Sequence, residues 1–194
     1  MSGSERMDRW NPFIKAAARR FRVPETWIRA IMTIESGGRT MLGENMPMTS
    51  SAGAMGLMQV MPQTWAQMCR AYRLGNDPYD PRDNIVAGTA YLELLFRQYG
   101  YPGLFAAYND GPGMLEAHRR MRQFMPAETT AYVLDIASIL STGVRRNPRL
   151  ANGVPGPAFL SSPVQGSGGA YILIPAAPQR ESGGNGGSDD DEDH

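Results

Sequence analysis

Residues 24–62, PETWIRAIMTIESGGRTMLGENMPMTSSAGAMGLMQVMP, contain the features around which the rest of this chain is organised. Pro24 suits a first helical position and the Gly37-Gly38 pair suits a helix end, so the stretch predicts a helix that ends within one turn of Glu35. One face of that helix is apolar and is formed by Trp27, Ile31 and Ile34. At about 100° per residue, Glu35 falls on the edge of this face. Its carboxylate is therefore expected to point toward the core rather than into water.

The position of Glu35 has a chemical consequence. Apolar neighbours disfavour an ionised carboxylate, and so does the negative end of a helix dipole, so both should raise the pKa of Glu35. A carboxylic acid that keeps its proton near neutral pH can act as a general acid on a glycosidic oxygen. The alternative is a glutamate at a helix edge that extends into solvent and has no catalytic role. Both interpretations are open on the evidence of this helix alone.

The composition is that of one folded domain followed by a polar segment. A chain of 194 residues with 42% hydrophobic residues has room for one domain with a sizeable core. Many of its 22 glycines and 15 prolines lie late in the chain. The net charge of zero conceals an asymmetry, because residues 179–194 hold six acids and one base, and the remaining residues carry a net charge of +5. A mildly basic body without a Lys/Arg stripe argues against nucleic acid as a partner.

Few residue types in this chain are suited to binding a metal. Cys69 is the single cysteine, which excludes an intrachain disulfide and a site built from several cysteines. With two histidines, His118 and His194, a zinc enzyme is not expected, and no metal or other cofactor is predicted. We also expect no transmembrane segment, and residues 1–10 contain no signal-peptide h-region. Either a leader is missing from this chain, or the protein leaves the cytoplasm by a route that the sequence does not show.

The sequence predicts a lead-in over residues 1–10, a helical domain over 11–140 and a low-complexity tail over 141–194. Helical periodicity and proline positions predict helices that begin near residues 12, 24, 62, 82, 104, 114 and 126, with the helix over about 82–99 at the centre of the core. No alternating strand pattern occurs before residue 141, so the domain is predicted to be all-α. Residues 38–51 are predicted to form an exposed loop that lines a cleft, and Cys69 is predicted to be buried.

The tail is rich in glycine, proline, serine and charge, a composition typical of disordered chains because it cannot bury enough apolar surface to offset chain entropy. Its exception is Ala170–Pro175, AYILIP, which is either a short motif that docks on a protein partner or an apolar island without a role. The acids at the end of the chain lack the spacing of a calcium loop and are interpreted as a solvating segment.

Five blocks of this sequence, in order over about 110 residues, carry a resemblance to a known family. They are Ile34-Glu35-Ser36, the stretch SSAGAMGLMQVMP over 50–62, the NIxxG segment over 84–88, Ala107-Tyr108-Asn109 followed by Gly111, and Glu128-Thr129 with Tyr132-Val133. Together they resemble the catalytic domain of the soluble lytic transglycosylases, the lysozyme-like, murein-cleaving enzymes of glycoside hydrolase family 23. The resemblance covers about residues 10–140 and implies a lysozyme-like helical fold.

The resemblance also implies roles for individual residues. Glu35 matches the catalytic acid of that family. The residues that match the sugar cleft are Ser50, Gln59, Met61, Tyr108, Asn109 and Tyr132. Asp110 departs from the family pattern, which has a small residue there, and three roles are open for it: tuning Glu35, binding substrate or capping the next turn.

The implied reaction cleaves the glycan strands of peptidoglycan between N-acetylmuramic acid and N-acetylglucosamine and leaves 1,6-anhydro ends. One carboxyl group suffices if it acts first as acid and then as base, and no cofactor is required; the implied location is the periplasm or cell envelope. One rival is a goose-type lysozyme-like hydrolase with Glu44 or Asp110 as a second acid. Another is a peptidoglycan-binding component of a secretion, conjugation or phage system that has the fold without catalysis.

Overall fold

Helices dominate the part of the chain that this computed structural model describes, residues 3–146, with side chains described as far as residue 142. The elements in chain order are α1 Gly3–Asp8, α2 Asn11–Phe21, α3 Glu25–Glu35, β1 Met41–Gly43, β2 Met46–Pro47, α4 Pro62–Tyr72, α5 Pro81–Asp110, α6 Pro112–Met121 and α7 Ala127–Arg146. The all-α prediction is confirmed for this part of the chain. The predicted tail and its Ala170–Pro175 motif lie outside the described residues.

Helix α5 is the centre of the core, as predicted, and packs against α2, α4, α6 and α7. Its fully buried residues include Ile85, Leu92 and Leu95. Gly100 and Tyr101 leave helical geometry and divide α5 into a long first part and a short second part that ends at Asp110. This break agrees with the predicted end of one helix near residue 99 and start of the next near residue 104.

Prolines begin most of these helices. A proline stands in the first turn of α2, α4, α5 and α6, where its missing N–H costs no helical hydrogen bond. Asp80 adds a side-chain cap to α5 by accepting a hydrogen bond from the backbone N–H of Asp83 at 2.9 Å. Pro24 departs slightly from the prediction, since it is the N-cap residue of α3 rather than its first helical residue.

Residues 3–10 are not the lead-in that was predicted, because Gly3–Asp8 form α1 and pack on the domain. Met7 is 6% exposed and belongs to the core. The indole Nε1 of Trp10 donates a hydrogen bond to the carbonyl oxygen of Gly38 at 3.0 Å, and Nη2 of Arg9 donates to the same oxygen at 3.1 Å. These contacts attach the N-terminal segment to the chain just after α3, a long-range effect that local composition does not reveal.

Two further predictions need correction. The loop over 38–51 is exposed as expected, but it contains the short antiparallel hairpin of β1 and β2. Strands of three and two residues are too short to produce a detectable alternation of apolar and polar residues. Cys69 is half-buried rather than buried, and its thiol lies 3.2 Å from the carbonyl oxygen of Gly75.

Candidate active site

Glu35 is the last residue of α3, where the helix meets α7, and its side chain is half-buried. The hydroxyl of Tyr132 on α7 donates a hydrogen bond to Oε1 of Glu35 at 2.7 Å. Burial raises the pKa of Glu35 above its ordinary value, and the Tyr132 hydrogen bond partly opposes this rise because it stabilises the ionised form. The predicted direction of the pKa shift is therefore confirmed. A carboxyl group in this setting exchanges a proton at a higher pH than an exposed glutamate does.

Two tyrosines surround this carboxyl group. Burial, with the nearby charge of Glu35, raises the pKa of Tyr132 well above its ordinary range, and the same two effects raise the pKa of Tyr108. Both phenols therefore keep their protons at neutral pH and act as hydrogen-bond donors. Tyr132 donates to Glu35 itself, whereas Tyr108 donates to the carbonyl oxygen of Met58 at 2.8 Å. One tyrosine thus fixes the acid and the other fixes the segment beside it.

That segment is residues 55–60, which we call the Met58 loop. Asn84 on α5 binds the backbone of this loop at two points. Its Oδ1 accepts a hydrogen bond from the backbone N–H of Met58 at 2.8 Å, and its Nδ2 donates one to the carbonyl oxygen of Met55 at 2.9 Å. The same Nδ2 donates to the carbonyl oxygen of Pro78 at 2.8 Å. Asn84 and Met58 are fully buried, so the N–H of Met58 has no access to water as a substitute partner.

Two glycines give the Met58 loop room to approach α5. A Cβ atom on Gly56 would lie 2.4 Å from Nδ2 of Asn84, and Gly56 has a φ of 74°, which favours glycine. A Cβ atom on Gly88 would lie 2.6 Å from the sulfur and 2.7 Å from Cβ of Met58. Asn84 and Gly88 are one helical turn apart on α5, so the NIxxG block forms the seat for this loop.

Ser36 connects the Met58 loop to the end of α3. Its hydroxyl donates a hydrogen bond to the carbonyl oxygen of Leu57 at 2.8 Å, and its Oγ accepts one from the backbone N–H of Gly38 at 3.2 Å. Ser36 is 2% exposed and follows Glu35 directly. The bond to Leu57 therefore fixes the loop relative to the carboxyl group.

Gln59 has a structural role in addition to the predicted one. Its Nε2 donates hydrogen bonds to the carbonyl oxygens of Gly56 and Met48, at 2.8 and 3.3 Å, and its backbone has a φ of 48°. The amide NH2 is therefore satisfied within the protein. Its Oε1 makes no hydrogen bond with a described residue and is the part of Gln59 that remains for a ligand.

The other predicted cleft residues make no hydrogen bond to Glu35, and their place in the cleft stays a prediction. Ser50 is exposed, and its Oγ accepts a hydrogen bond from the backbone N–H of Ala54 at 3.0 Å. Met61 is 45% exposed. Asn109 follows Tyr108 directly and is half-buried, and within the described residues its side-chain amide makes no hydrogen bond, so it is available to a ligand.

Neither of the other proposed acids acts on Glu35. Glu44 is exposed in the turn between β1 and β2. Asp110 faces α6, and its Oδ2 lies 3.5 Å from Nε2 of His118. Burial and the Tyr132 hydrogen bond account for the pKa shift of Glu35, with no contribution from Asp110. Of the three roles open for Asp110, tuning Glu35 is therefore unsupported.

The sequence blocks contained Ser36, Asn84 and Gly88, but their roles were not predicted. Each of them contacts the Met58 loop, Ser36 and Asn84 at its backbone and Gly88 at the side chain of Met58, from 21 to 30 positions away, and no local pattern identifies such a contact. The sequence does offer one signal for such a role. An amide or hydroxyl group on a helix face that is predicted to be buried requires a hydrogen-bond partner, so its position among apolar residues indicates a structural contact. In the described part of the chain, no cluster of acids, histidines and cysteines is suited to a metal, and no helix there is long and apolar enough to cross a membrane.

Residues 12–131 match the family model described as the transglycosylase SLT domain. The soluble lytic murein transglycosylase of Escherichia coli strain K12 is 36% identical over 98 residues, which are 47% of this chain and 14% of that protein.

Solved structures give the same result. The crystal structure of the 70 kDa soluble lytic transglycosylase of Escherichia coli is similar with a TM-score of 0.60 and 26% identity, over 71% of this chain and 24% of that one. The lytic transglycosylase Slt of Pseudomonas aeruginosa, solved as an inactive mutant with glutamine in place of a glutamate, is similar with a TM-score of 0.58 and 25% identity, over 70% of this chain and 24% of that one. The chain thus spans no more than about a quarter of the length of these three relatives.

Proposed function

Because this chain belongs to the transglycosylase SLT domain family, we propose that it is a lytic murein transglycosylase in which Glu35 is the single acid and base. The substrate is the glycan strand of peptidoglycan. The bond cleaved is the β-1,4 bond between N-acetylmuramic acid and N-acetylglucosamine, and the product is a 1,6-anhydromuramic end.

The observation that carries this proposal is the pairing of Glu35 with Tyr132. Burial raises the pKa of the carboxyl group, so a larger fraction is protonated and able to donate at neutral pH. Tyr132 binds Oε1 and leaves Oε2 without a hydrogen-bond partner in the described chain. Oε2 is therefore the oxygen that meets the glycosidic bond, and the Tyr132 hydroxyl stabilises the carboxylate that forms when the proton leaves.

The reaction balances with one carboxyl group. In the first step Glu35 transfers its proton to the glycosidic oxygen, and the bond from that oxygen to C1 of the muramic acid breaks. In the second step the Glu35 carboxylate takes the proton of the C6 hydroxyl of the same sugar, and O6 forms a bond to C1. Glu35 returns to its protonated form, and no water is consumed.

Glycoside hydrolysis ordinarily requires a second carboxylate that activates water or attacks the sugar. Glu44 and Asp110 are the residues proposed for that role, and neither interacts with Glu35. An intramolecular hydroxyl replaces water in the transglycosylase reaction, so the finding that no acid among the described residues acts on Glu35 favours transglycosylation over hydrolysis.

The remaining site residues are proposed to orient the sugars. The amide of Asn109 and Oε1 of Gln59 are available to hydroxyl and acetamido groups, and the exposed side chain of Met61 offers an apolar surface. Ser50 precedes the Met58 loop in the chain and accepts a hydrogen bond from the backbone N–H of Ala54. Tyr108 and Tyr132 contribute by holding the Met58 loop and Glu35 rather than through free hydroxyls.

The substrate places this activity in the cell envelope, where murein is found. A protein partner for the Ala170–Pro175 motif remains a prediction. Support for a single essential glutamate comes from the Pseudomonas aeruginosa relative, whose glutamate-to-glutamine mutant is inactive.

The test is mass spectrometry of muropeptides released from purified sacculi by the protein and by Glu35→Gln. We expect the wild type to release anhydro-muropeptides, lighter by one water than hydrolysis products, and Glu35→Gln to release none. Glu25→Gln, at the other end of α3, is the matched control and should keep full activity. Reducing ends would refute the proposal in favour of hydrolysis, and an absence of products from the folded wild type would refute catalysis.

A further inference from the structure

One buried polar pair lies apart from the Glu35 contacts. Oδ2 of Asp110 and Nε2 of His118 are 3.5 Å apart, and the two side chains are 15% and 14% exposed. These atoms and Nδ1 of His118 are shielded from solvent and make no hydrogen bond with a described residue. The contact is thus not a hydrogen bond, and it is an ion pair when the imidazole of His118 is protonated. Buried polar groups without hydrogen bonds destabilise a fold. Their presence here therefore calls for an explanation, such as fixing a conformation or a site.

The pair lies where a carboxylate is disfavoured. Asp110 is the last residue of α5, at the negative end of the helix dipole. Gly111, with a φ of 84°, turns the chain directly into α6, and His118 lies in the last turn of that helix. An imidazole that carries a positive charge offsets the charge of Asp110 and complements the C-terminal end of α6. A carboxylate at the C-terminal end of a helix departs from the usual charge preference, and such departures are expected mainly at functional sites.

Asn109 lies between two anchors at the end of α5. On one side the Tyr108 hydroxyl binds the Met58 backbone at 2.8 Å, and on the other side Asp110 contacts His118. The side chain of Asn109 has no hydrogen-bond partner in the described chain, so the contacts of Tyr108 and Asp110 are the neighbouring contacts that fix this end of α5.

We propose that the contact between Asp110 and His118 holds α6 against the end of α5 and so positions Asn109 to bind the sugar. They are positioning residues and touch no reacting atom. This inference rests on the proposed function, because Asn109 is there proposed to orient the sugar on which Glu35 acts. Loss of either member frees the turn at Gly111, and Asn109 loses its fixed direction.

The kinetic test uses soluble oligomers of alternating N-acetylglucosamine and N-acetylmuramic acid. We expect Asp110→Ala, His118→Ala and the double variant each to lower kcat about tenfold, the effect of misplacing an orienting group, while KM changes by less than about twofold. The double variant should be no worse than either single variant, because the two residues act as a unit. Asp110→Asn keeps the shape and loses the charge, and it should resemble Asp110→Ala. Arg120→Ala, exposed on the same helix, is the control with unchanged kcat.

A second measurement does not depend on activity. His118 and His194 are the two histidines of the chain, so nitrogen NMR of the His194→Ala protein reports His118 alone. We expect Asp110→Asn to shift the ring-nitrogen signals of His118, and Arg120→Ala to leave them unchanged. Unchanged signals in Asp110→Asn would refute the pair.

The outcomes separate the two proposals. If the wild type is active and the Asp110 and His118 variants keep kcat within about twofold, the positioning role is refuted and the proposed function stands. If the folded wild type releases no product, the proposed function fails and the positioning role fails with it, whatever the NMR result. Thermal unfolding of each variant shows that the kinetic comparison uses folded protein.

Discussion

Two neighbouring segments between α3 and α4 differ in how deeply they are buried and in how their backbones are held. The Met58 loop is almost fully buried, and Asn84, Tyr108 and Ser36 bind its backbone. Among the described residues, the backbone of the β1–β2 hairpin accepts one side-chain hydrogen bond, from Thr49 to the carbonyl oxygen of Pro47, and its residues Met41, Leu42 and Met46 are 42%, 51% and 58% exposed. The difference indicates that buried polar side chains hold the Met58 loop in place, whereas the hairpin is fixed mainly by its own backbone pairing.

Asn84→Ala should give the largest effect, because it removes the main anchor of the Met58 loop. The substitution leaves the buried N–H of Met58 without a partner, removes the bonds to the carbonyl oxygens of Met55 and Pro78, and opens a cavity, so we expect the free energy of unfolding to fall by about 3 kcal/mol. Urea denaturation measures this change. Asn76→Ala, at an exposed turn, is the matched control and should change stability by less than about 0.5 kcal/mol. Equal effects of the two substitutions would show that the loop is not held in this way.

Gly88→Ala tests the close packing of the loop on α5. The new methyl group would overlap the sulfur and Cβ of Met58, so the loop must move, and we expect a loss of about 1–3 kcal/mol together with reduced activity. Gly113→Ala in α6 meets no atom within 4 Å and should be neutral or slightly stabilising. Thermal unfolding of the two variants, compared with the wild type, decides whether Gly88 is needed for space.

Substitution of Tyr132 tests its hydrogen bond to the carboxyl group of Glu35. Tyr132→Phe removes the hydrogen bond that lowers the pKa of Glu35, so that pKa should rise further. A general acid must be protonated to act, so the decline of kcat/KM at high pH should move to higher pH. At its optimum kcat should fall about tenfold, since the carboxylate formed in the reaction loses a charge-assisted bond.

Tyr108→Phe is the contrasting substitution. It frees the carbonyl oxygen of Met58, and we expect a stability loss of about 1 kcal/mol without movement of the high-pH limb. A pH–rate profile of both variants is the measurement. The same displacement in both variants would contradict the separate roles assigned here.

Leu42→Ala should have the smallest effect on stability. The side chain is half exposed at the hairpin, so we expect a change below about 0.5 kcal/mol, with activity on sacculi lowered only through KM. Leu57→Ala, the same substitution at a 1% exposed position in the Met58 loop, should cost about 3 kcal/mol. Comparable losses at the two leucines would remove the contrast between loop and hairpin.

Much of the fold was predictable because local signals control it. The prolines at residues 12, 62, 81 and 112 each lie in the first turn of a helix, and the break at Gly100 was expected. The resemblance to lytic transglycosylases is confirmed by the family match over residues 12–131. The helix α1 and the hairpin were missed, since α1 depends on contacts with Gly38 and the strands are too short to show a period.

The sequence by itself determined a helical domain of this family and a helix that ends at Glu35 with the carboxyl group on its apolar edge, because the helical period is a local property. Only the tertiary structure decided that Tyr132, 97 residues away, binds this carboxyl group. It also decided that Asn84 and Gly88 hold the Met58 loop, that Gln59 supports its own loop and that Asp110 meets His118. The physical reason is that each of these contacts depends on how whole helices pack, which no short pattern of residues specifies.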